Sequence, residues 1–359
     1  MRTKFALTTA LTGMACTVLA IAACLVSAQP LHAQAVPHYE VDRSWPKPLP
    51  DRWILGGLGG VCVDRQDHVF LLNRQDVLPG DLDAGRLAPP IIEIDTEGNM
   101  VHAWGDLKDL DPRLHSCHFD KDNNMWIAAS PSGMVRKYTH DGGKLLLQIG
   151  EKGVLDSSDG TEKGKPLNSD AARFYMPSSI FVDRGNGDVF VSDGEGRGGN
   201  RRVAVMDSTG KFLRQWQPEG MQTVHCLTIA NDGLVYVCNR DGARIQIYDK
   251  TGKFIKNIDI PWKPYTPAEG KPRQSGGAAV ALDFSPDANQ RLIFLINQNN
   301  SQIEIIERES GKILGSFGRS GHFLGEFDQA HGIAVDSKGN VYVDENRGRR
   351  IQKFKPVAN

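Results

Sequence analysis

The sequence predicts an all-β protein, a single β-propeller of six four-stranded blades. An internal repeat of about 45 to 60 residues occurs six times, which is the length of a propeller blade. Each copy consists of short apolar runs separated by tight turns rich in Asp and Gly, and the 3.6-residue periodicity of long helices is absent. The copies begin at the segments Gly59–Asp64, His115–Asp120, Ser178–Asp183, His225–Ala230, Ala278–Asp283 and His331–Asp336.

The last copy predicts how the ring closes. After His331–Asp336 it continues with Val341–Val343 and Arg350–Phe354, which completes only three strands. The fourth strand must therefore come from elsewhere, and His38–Asp42 near the start of the mature chain is the candidate. Closure by this N-terminal strand would cover the sheet edges that an open ring exposes.

The first 35 residues have the features of a signal peptide. Arg2 and Lys4 supply positive charge, Phe5–Ala28 is apolar, and Ala33-Gln-Ala35 resembles a cleavage site. We therefore divide the chain into a signal peptide, residues 1–35, and a propeller, residues 36–359. The mature protein is expected to be exported, either periplasmic or secreted.

Two alternatives for this leader stay open. Ile21-Ala-Ala-Cys24 resembles a bacterial lipoprotein box, so a lipid on Cys24 could anchor the protein. The apolar stretch is also long enough to span a membrane if it is not removed. Membrane contact is expected only in these two cases, and both keep the propeller outside the cytoplasm.

Composition limits the partners and the covalent links. Lys and Arg number 42 against 43 Asp and Glu, which gives no basic surface for nucleic acid. We expect a monomer with no nucleic-acid partner. Export permits disulfides, and the cysteines of the mature chain allow three complete pairings, which the sequence does not distinguish. A pairing of Cys226 with Cys238 across a hairpin is plausible, and pairings of these two cysteines with Cys62 and Cys117 also stay open.

Three histidines share one register position in alternate repeats. This position, at the start of each first strand, is His115, His225 and His331 in the even blades and Gly59, Ser178 and Ala278 in the odd blades. Alternate blades of a six-bladed ring lie about a third of a turn apart, so the three imidazoles should converge on the axis. Neutral imidazoles with one open position are typical of catalytic zinc, although another divalent ion could bind.

Polar side chains follow the second strands, which end on the same face as the histidines. Arg74 and Arg240 would bind a substrate carboxylate, because guanidinium binds carboxylates as a fork. Glu195 is the best-placed general base, with Asp193 and Glu345 as weaker candidates.

The long connections lie on this face too, which indicates a binding surface for a small-molecule or peptide substrate. They are Val77–Pro90, Glu151–Met176, Gly194–Arg201 and Pro261–Gly277.

These motifs resemble those of the NHL-repeat family, and specifically the lyase domain of peptidylglycine α-amidating enzymes, peptidyl-α-hydroxyglycine α-amidating lyase. The matching segments are Leu114-His115-Ser-Cys, Val224-His225-Cys-Leu, Ala330-His331-Gly-Ile, Asn73-Arg74 and Asn239-Arg240. The resemblance covers the mature chain. It implies that the histidines bind zinc, that the arginines orient the substrate, and that the reaction is C–N cleavage of a carbinolamide.

The chain departs from this family at several positions. The prolines that precede the family's histidines are absent. Where the family has its catalytic tyrosine after Val191-Ser-Asp-Gly194, this chain has Glu195, which would have to replace the base. Gly332 stands where the family has an aspartate that helps to hold calcium, which puts a calcium ion in doubt.

Two rival functions remain at this point. NHL propellers also act as non-catalytic scaffolds, so the looped face could bind a protein, peptide or glycan. A calcium-dependent lactonase type of six-bladed propeller is disfavoured, because calcium prefers oxygen ligands to imidazole. We expect the metal-dependent lyase.

Overall fold

The computed structural model describes residues 36–130, 132–155, 173–195, 200–262 and 277–357. The predicted signal peptide, residues 1–35, lies outside these ranges, as do residues 156–172, 196–199 and 263–276 of three long connections. Within the described ranges, no helix has the length and apolar character needed to cross a membrane.

Six four-stranded antiparallel sheets form the predicted propeller, which is confirmed. The only α-helical segment among the described residues is the single turn Leu107–Leu110. Blade 1 contains Leu58–Val63, Val69–Asn73, Ile91–Ile94 and Met100–Trp104. Blade 2 contains Leu114–Phe119, Met125–Ala129, Met134–Tyr138 and Leu145–Gly150. Blade 3 contains Pro177–Val182, Val189–Asp193, Arg202–Met206 and Phe212–Trp216.

The second half of the ring repeats this pattern. Blade 4 contains Val224–Ile229, Val235–Asn239, Arg244–Tyr248 and Phe254–Asp259. Blade 5 contains Leu282–Phe284, Leu292–Asn297, Gln302–Glu307 and Ile313–Phe317, so its first strand begins four residues later than its repeat does. Blade 6 contains Ala330–Val335, Val341–Glu345, Arg350–Val357 and His38–Val41.

The N-terminal strand closes the ring as predicted. His38–Val41 pairs antiparallel with the third strand of blade 6 and forms its outer strand. Tyr39 on this strand is buried against Phe294 and Phe317 of blade 5, and its hydroxyl donates to the Gly339 carbonyl at 3.2 Å.

The core lies between neighbouring blades. The second strands contact a blade on each face, and they are therefore apolar almost throughout, as Val69–Asn73 and Val235–Asn239 show. Between blades 1 and 2, for example, Phe70 packs edge-on against Phe119. This packing holds the first strands in a ring around the axis.

Outside the blades, the described connections contain the 3-10 turns Pro50–Arg52 and Pro79–Asp83 and the paired segments Trp53–Ile54 and Arg86–Leu87.

Two disulfides are formed by the four cysteines of the propeller. Cys226 pairs with Cys238 on the adjacent strand of blade 4, across the hairpin that the sequence suggested. Cys62 pairs with Cys117, which links the first strands of blades 1 and 2. This is one of the three pairings that the sequence left open.

Candidate metal centre

A β-bulge occurs at the histidine position of each even blade. The pairing of the first two strands shifts between Leu114 and Ser116, and the extra residue is His115. The same shift surrounds His225, and in blade 6 it includes His331. A bulge leaves its extra residue out of the ladder and turns the side chain, here towards the axis.

The three imidazoles meet on the propeller axis. The ring centroid of His115 lies 4.8 Å from that of His225 and 4.7 Å from that of His331, and the centroids of His225 and His331 are 5.2 Å apart. One nitrogen of each ring lies within 4.8 Å of the other two, and all three residues are buried. We call these residues the histidine triad.

Backbone carbonyls of the next blade orient two of these rings. Nδ1 of His115 donates to the Ser178 carbonyl at 2.6 Å, and Nδ1 of His225 donates to the Val280 carbonyl at 2.7 Å. These hydrogen bonds fix the proton on Nδ1 and leave a lone pair on Nε2, which is how metal-binding histidines are held. Burial lowers the pKa of His225 and of His331 well below the ordinary value, so both rings are neutral.

The nitrogens that face the axis have no hydrogen-bond partner among the described residues. Nε2 of His115 and His225 and Nδ1 of His331 are buried and unpaired. Buried polar atoms are normally satisfied, because an unpaired one costs about 1 to 3 kcal/mol. Three neutral imidazoles with free lone pairs fit a divalent transition-metal ion such as Zn²⁺.

Glu195 lies directly beside the triad. Its Oε2 is 3.0 Å from Nε2 of His115, its Oε1 is 3.9 Å from Nε2 of His225, and its side chain is only 10% exposed. Burial alone would raise the pKa of this carboxyl, but the contact with His115 outweighs burial and holds that pKa well below its ordinary value. Glu195 is therefore a carboxylate.

The direction of Glu195 is set by the glycine before it. Gly194 has φ +142, and a Cβ there would lie 1.2 Å from the Asn200 carbonyl oxygen. The N–H groups of Gly194 and Glu195 both donate to the Met176 carbonyl, at 3.0 and 3.1 Å. Only glycine fits this turn, which directs the next side chain to the axis.

The two predicted arginines flank the same space. Arg74 is buried, its Nε donates to the Leu114 carbonyl at 2.9 Å, and its Nη2 has no partner. Gly59 makes this possible, because a Cβ there would lie 2.6 Å from the Arg74 Nε. Nη1 of Arg240 is 3.7 Å from Oε1 of Glu195.

The other carboxylates considered as bases are structural. Asp193 accepts hydrogen bonds from the N–H groups of Tyr175 and Met176 and forms a fully buried ion pair with Arg202 at 2.9 Å. Glu345 accepts from Arg350 at 2.6 Å and from the N–H of Asp328 at 2.7 Å. Each already holds loops or strands together, so neither faces the axis as a free base.

Two further charged residues, to which the sequence assigned no role, lie at this site. Arg113 lies 3.8 Å from Glu195, a position that its place two residues before His115 could have suggested. Asp344 fills the space that a side chain at Gly332 would occupy, with Oδ1 accepting the Gly332 N–H at 2.8 Å and Oδ2 unpaired. Burial raises the pKa of Asp344 to about 7.

The triad also forms the inner end of a cavity of about 780 Å³ on the axis. Its outer lining consists of residues of the tight turns opposite the long connections, such as Arg65, Lys121 and Arg184. Arg74, Arg240 and Glu195 are outside this lining. The histidines therefore separate the axial cavity from the charged residues of the looped face.

A second group of possible ligands, Asp64, Glu93 and His140, lies between blades 1 and 2. Nε2 of His140 contacts Asp64 at 2.8 Å, and Glu93 pairs with His68 at 2.6 Å. An equivalent ion pair joins blades 3 and 4, where Asp183 takes the place of Asp64 and pairs with Lys250. We attribute this group to the ion pairs that join neighbouring blades.

Comparison with known proteins agrees with this architecture. The chain matches no protein-family profile. It is 24% identical to human NHL repeat-containing protein 3 over 89% of its own length and 84% of that protein. The resemblance to NHL-repeat propellers is confirmed. The chain is also 23% identical to a probable peptidyl-alpha-hydroxyglycine alpha-amidating lyase of Caenorhabditis elegans over 84% of its own length and 83% of that protein.

The longer relatives are amidating monooxygenases. Identity to the Xenopus laevis peptidyl-glycine alpha-amidating monooxygenase B is 24% over 89% of this chain, which spans only 36% of that protein. Among solved structures, a streptogramin B lyase superposes with a TM-score of 0.54 at 14% identity, covering 89% of this chain and 98% of that one. This last likeness concerns the fold alone.

Proposed function

We propose that the protein is an exported, metal-dependent lyase that cleaves the carbon–nitrogen bond of a carbinolamide-like substrate, either small or peptide-derived. The observation that carries the proposal is the set of unpaired, buried nitrogens of the histidine triad beside Arg74 and Arg240. The relatives named amidating lyase and amidating monooxygenase support the same reaction type. The two disulfides support export, because such bonds persist in oxidising compartments.

The triad would hold the ion, for which we propose Zn²⁺, with another divalent ion as the alternative. When bound, such an ion polarises a hydroxyl or carbonyl oxygen and stabilises its negative charge. The guanidinium groups of Arg74 and Arg240 would orient a substrate carboxylate. In the reaction the substrate hydroxyl loses its proton, its oxygen forms a C=O bond, the C–N bond breaks, and the amide nitrogen takes up a proton. The products are an amide and an aldehyde.

Turnover of a peptide that ends in α-hydroxyglycine tests this proposal. We expect release of the amidated peptide by the metal-loaded protein and loss of activity in His225→Ala. Arg240→Ala should lower kcat/KM by about 10- to 100-fold, the range of a charged hydrogen bond. Arg347→Ala is the matched control, because Arg347 lies on the same face but pairs with Asp328 at 2.7 Å.

A non-catalytic NHL propeller that binds a protein, peptide or glycan is the second candidate. It is favoured by Glu195, which stands where the amidating lyases have tyrosine, and by the match to NHL repeat-containing protein 3. Metal binding without turnover of the hydroxyglycine peptide would contradict the lyase and leave this candidate.

A further inference from the structure

We propose that Glu195 is a fourth protein ligand of the ion held by the histidine triad, so that the site has three imidazoles and one carboxylate and the substrate would bind as a fifth ligand. This inference rests on the metal site of the proposed function and changes the role of Glu195 from general base to ligand. It is carried by three observations: the distances around the carboxylate, the unpaired atoms and the rigid backbone.

The carboxylate of Glu195 lies close to two of the three imidazoles. Ligand atoms about 2.1 Å from a tetrahedral metal ion lie about 3.4 Å from each other. Oε2 of Glu195 is 3.0 Å from Nε2 of His115, and Oε1 is 3.9 Å from Nε2 of His225. The two distances, one to each carboxylate oxygen, lie on either side of the expected separation, so the carboxylate is close enough to share an ion with these two imidazoles.

The same atoms lack hydrogen bonds. Oε2 of Glu195 and Nε2 of His115 are each buried and have no hydrogen-bond partner, although they lie 3.0 Å apart. The guanidinium groups of Arg113 and Arg240 approach only to 3.8 and 3.7 Å. A cation between the carboxylate and the imidazoles would satisfy all of these lone pairs together.

The backbone holds the carboxylate in place. Gly194 and Glu195 both donate to the Met176 carbonyl, and Asp193 is fixed by its buried ion pair with Arg202. A carboxylate held on a metal ion is a weaker base, because the cation stabilises its negative charge. The donor set of three nitrogens and one oxygen suits Zn²⁺, and the carboxylate also suits harder ions such as Mn²⁺.

Metal binding to the full mature chain tests the inference. The metal-free wild type, Glu195→Ala and Glu195→Gln are titrated with Zn²⁺ against a competing chelator, and with Co²⁺ while visible absorption is recorded. Removal of an outer hydrogen-bond partner costs 10- to 100-fold in affinity, so loss of a ligand in Glu195→Ala should cost more than about 100-fold. Both variants should change the Co²⁺ spectrum. Glu219→Ala, which removes an exposed carboxylate on the same face, should match the wild type.

Two results would overturn the inference, and they differ in what else they affect. A Co²⁺ spectrum of Glu195→Gln identical to that of the wild type would exclude ligation by Glu195 and leave the metal-dependent lyase intact. Failure of the wild type to bind either ion would remove the ligand role and the proposed function together. Because Gln has the shape of Glu, this variant keeps the comparison valid if Glu195→Ala does not fold.

Discussion

Buried polar atoms without partners define the site at the scale of single residues. The free nitrogens of the histidine triad and Oε2 of Glu195 face one another, whereas Asp193 and Glu345 are fully hydrogen-bonded. All of these groups are acidic or basic and all are buried. Their hydrogen bonds, rather than their residue types, separate the candidate metal ligands from the structural groups.

Asp344 gives a prediction about pH at this scale. Its pKa is raised from 3.8 to about 7 by burial, so the folded state retains a proton that the unfolded chain releases between these values. Stability should therefore fall as pH rises from about 4 to about 7, by up to about 4 kcal/mol from this residue. Asp344→Asn should lack this loss. Urea unfolding of the metal-free wild type and Asp344→Asn at about pH 4.5 and about pH 7.5 measures this loss of stability.

The sign of the difference decides this prediction. The free energy of unfolding of Asp344→Asn minus that of the wild type should be larger at about pH 7.5 than at about pH 4.5, because only the wild type loses stability as the pH rises. An equal difference at both pH values would show that the carboxyl of Asp344 has an ordinary pKa in the folded protein.

Strand-level features explain which parts of the site the sequence could predict. The blades, the closing strand and the common register of the triad follow from repeat spacing, because spacing alone places alternate blades around an axis. The bulges at His115, His225 and His331 do not follow from residue types, since they arise from how two strands pair. The contact between Glu195 and His115 could not be predicted from the sequence either.

The loop after the second strand of blade 3 shows why that contact was hidden. The sequence placed Glu195 on the correct rim but only as a candidate base. Its direction depends on the positive φ of Gly194 and on the hydrogen bonds to the Met176 carbonyl. Tertiary contacts of this kind are absent from a pattern of strands and turns, as is the carboxylate of Asp344 beside Gly332.

Closure by the N-terminal strand matters at the scale of the whole molecule. This strand joins residues near the two ends of the propeller, and Tyr39 packs on Phe294 and Phe317. The ring holds the first strands, and through them the triad, in a fixed arrangement. Loss of the closing strand would expose the edge of Arg350–Val357.

Tyr39 tests the contribution of closure. Tyr39→Ala should lower the free energy of unfolding by about 3 to 5 kcal/mol, because it removes a buried aromatic ring. Tyr39→Phe keeps the ring and loses only the bond to the Gly339 carbonyl, so its cost should be about 1 kcal/mol. Urea unfolding measures both values. If the two variants were equally stable, the ring of Tyr39 would have no role in holding the propeller closed.

Elemental analysis of the purified protein tests the metal centre most directly. After exposure to Zn²⁺ and removal of loosely bound ions, the wild type should retain one divalent ion per chain, and His225→Ala should retain none. Retention of the same amount by His225→Ala, or of no ion by the wild type, would contradict a metal centre built from the histidine triad.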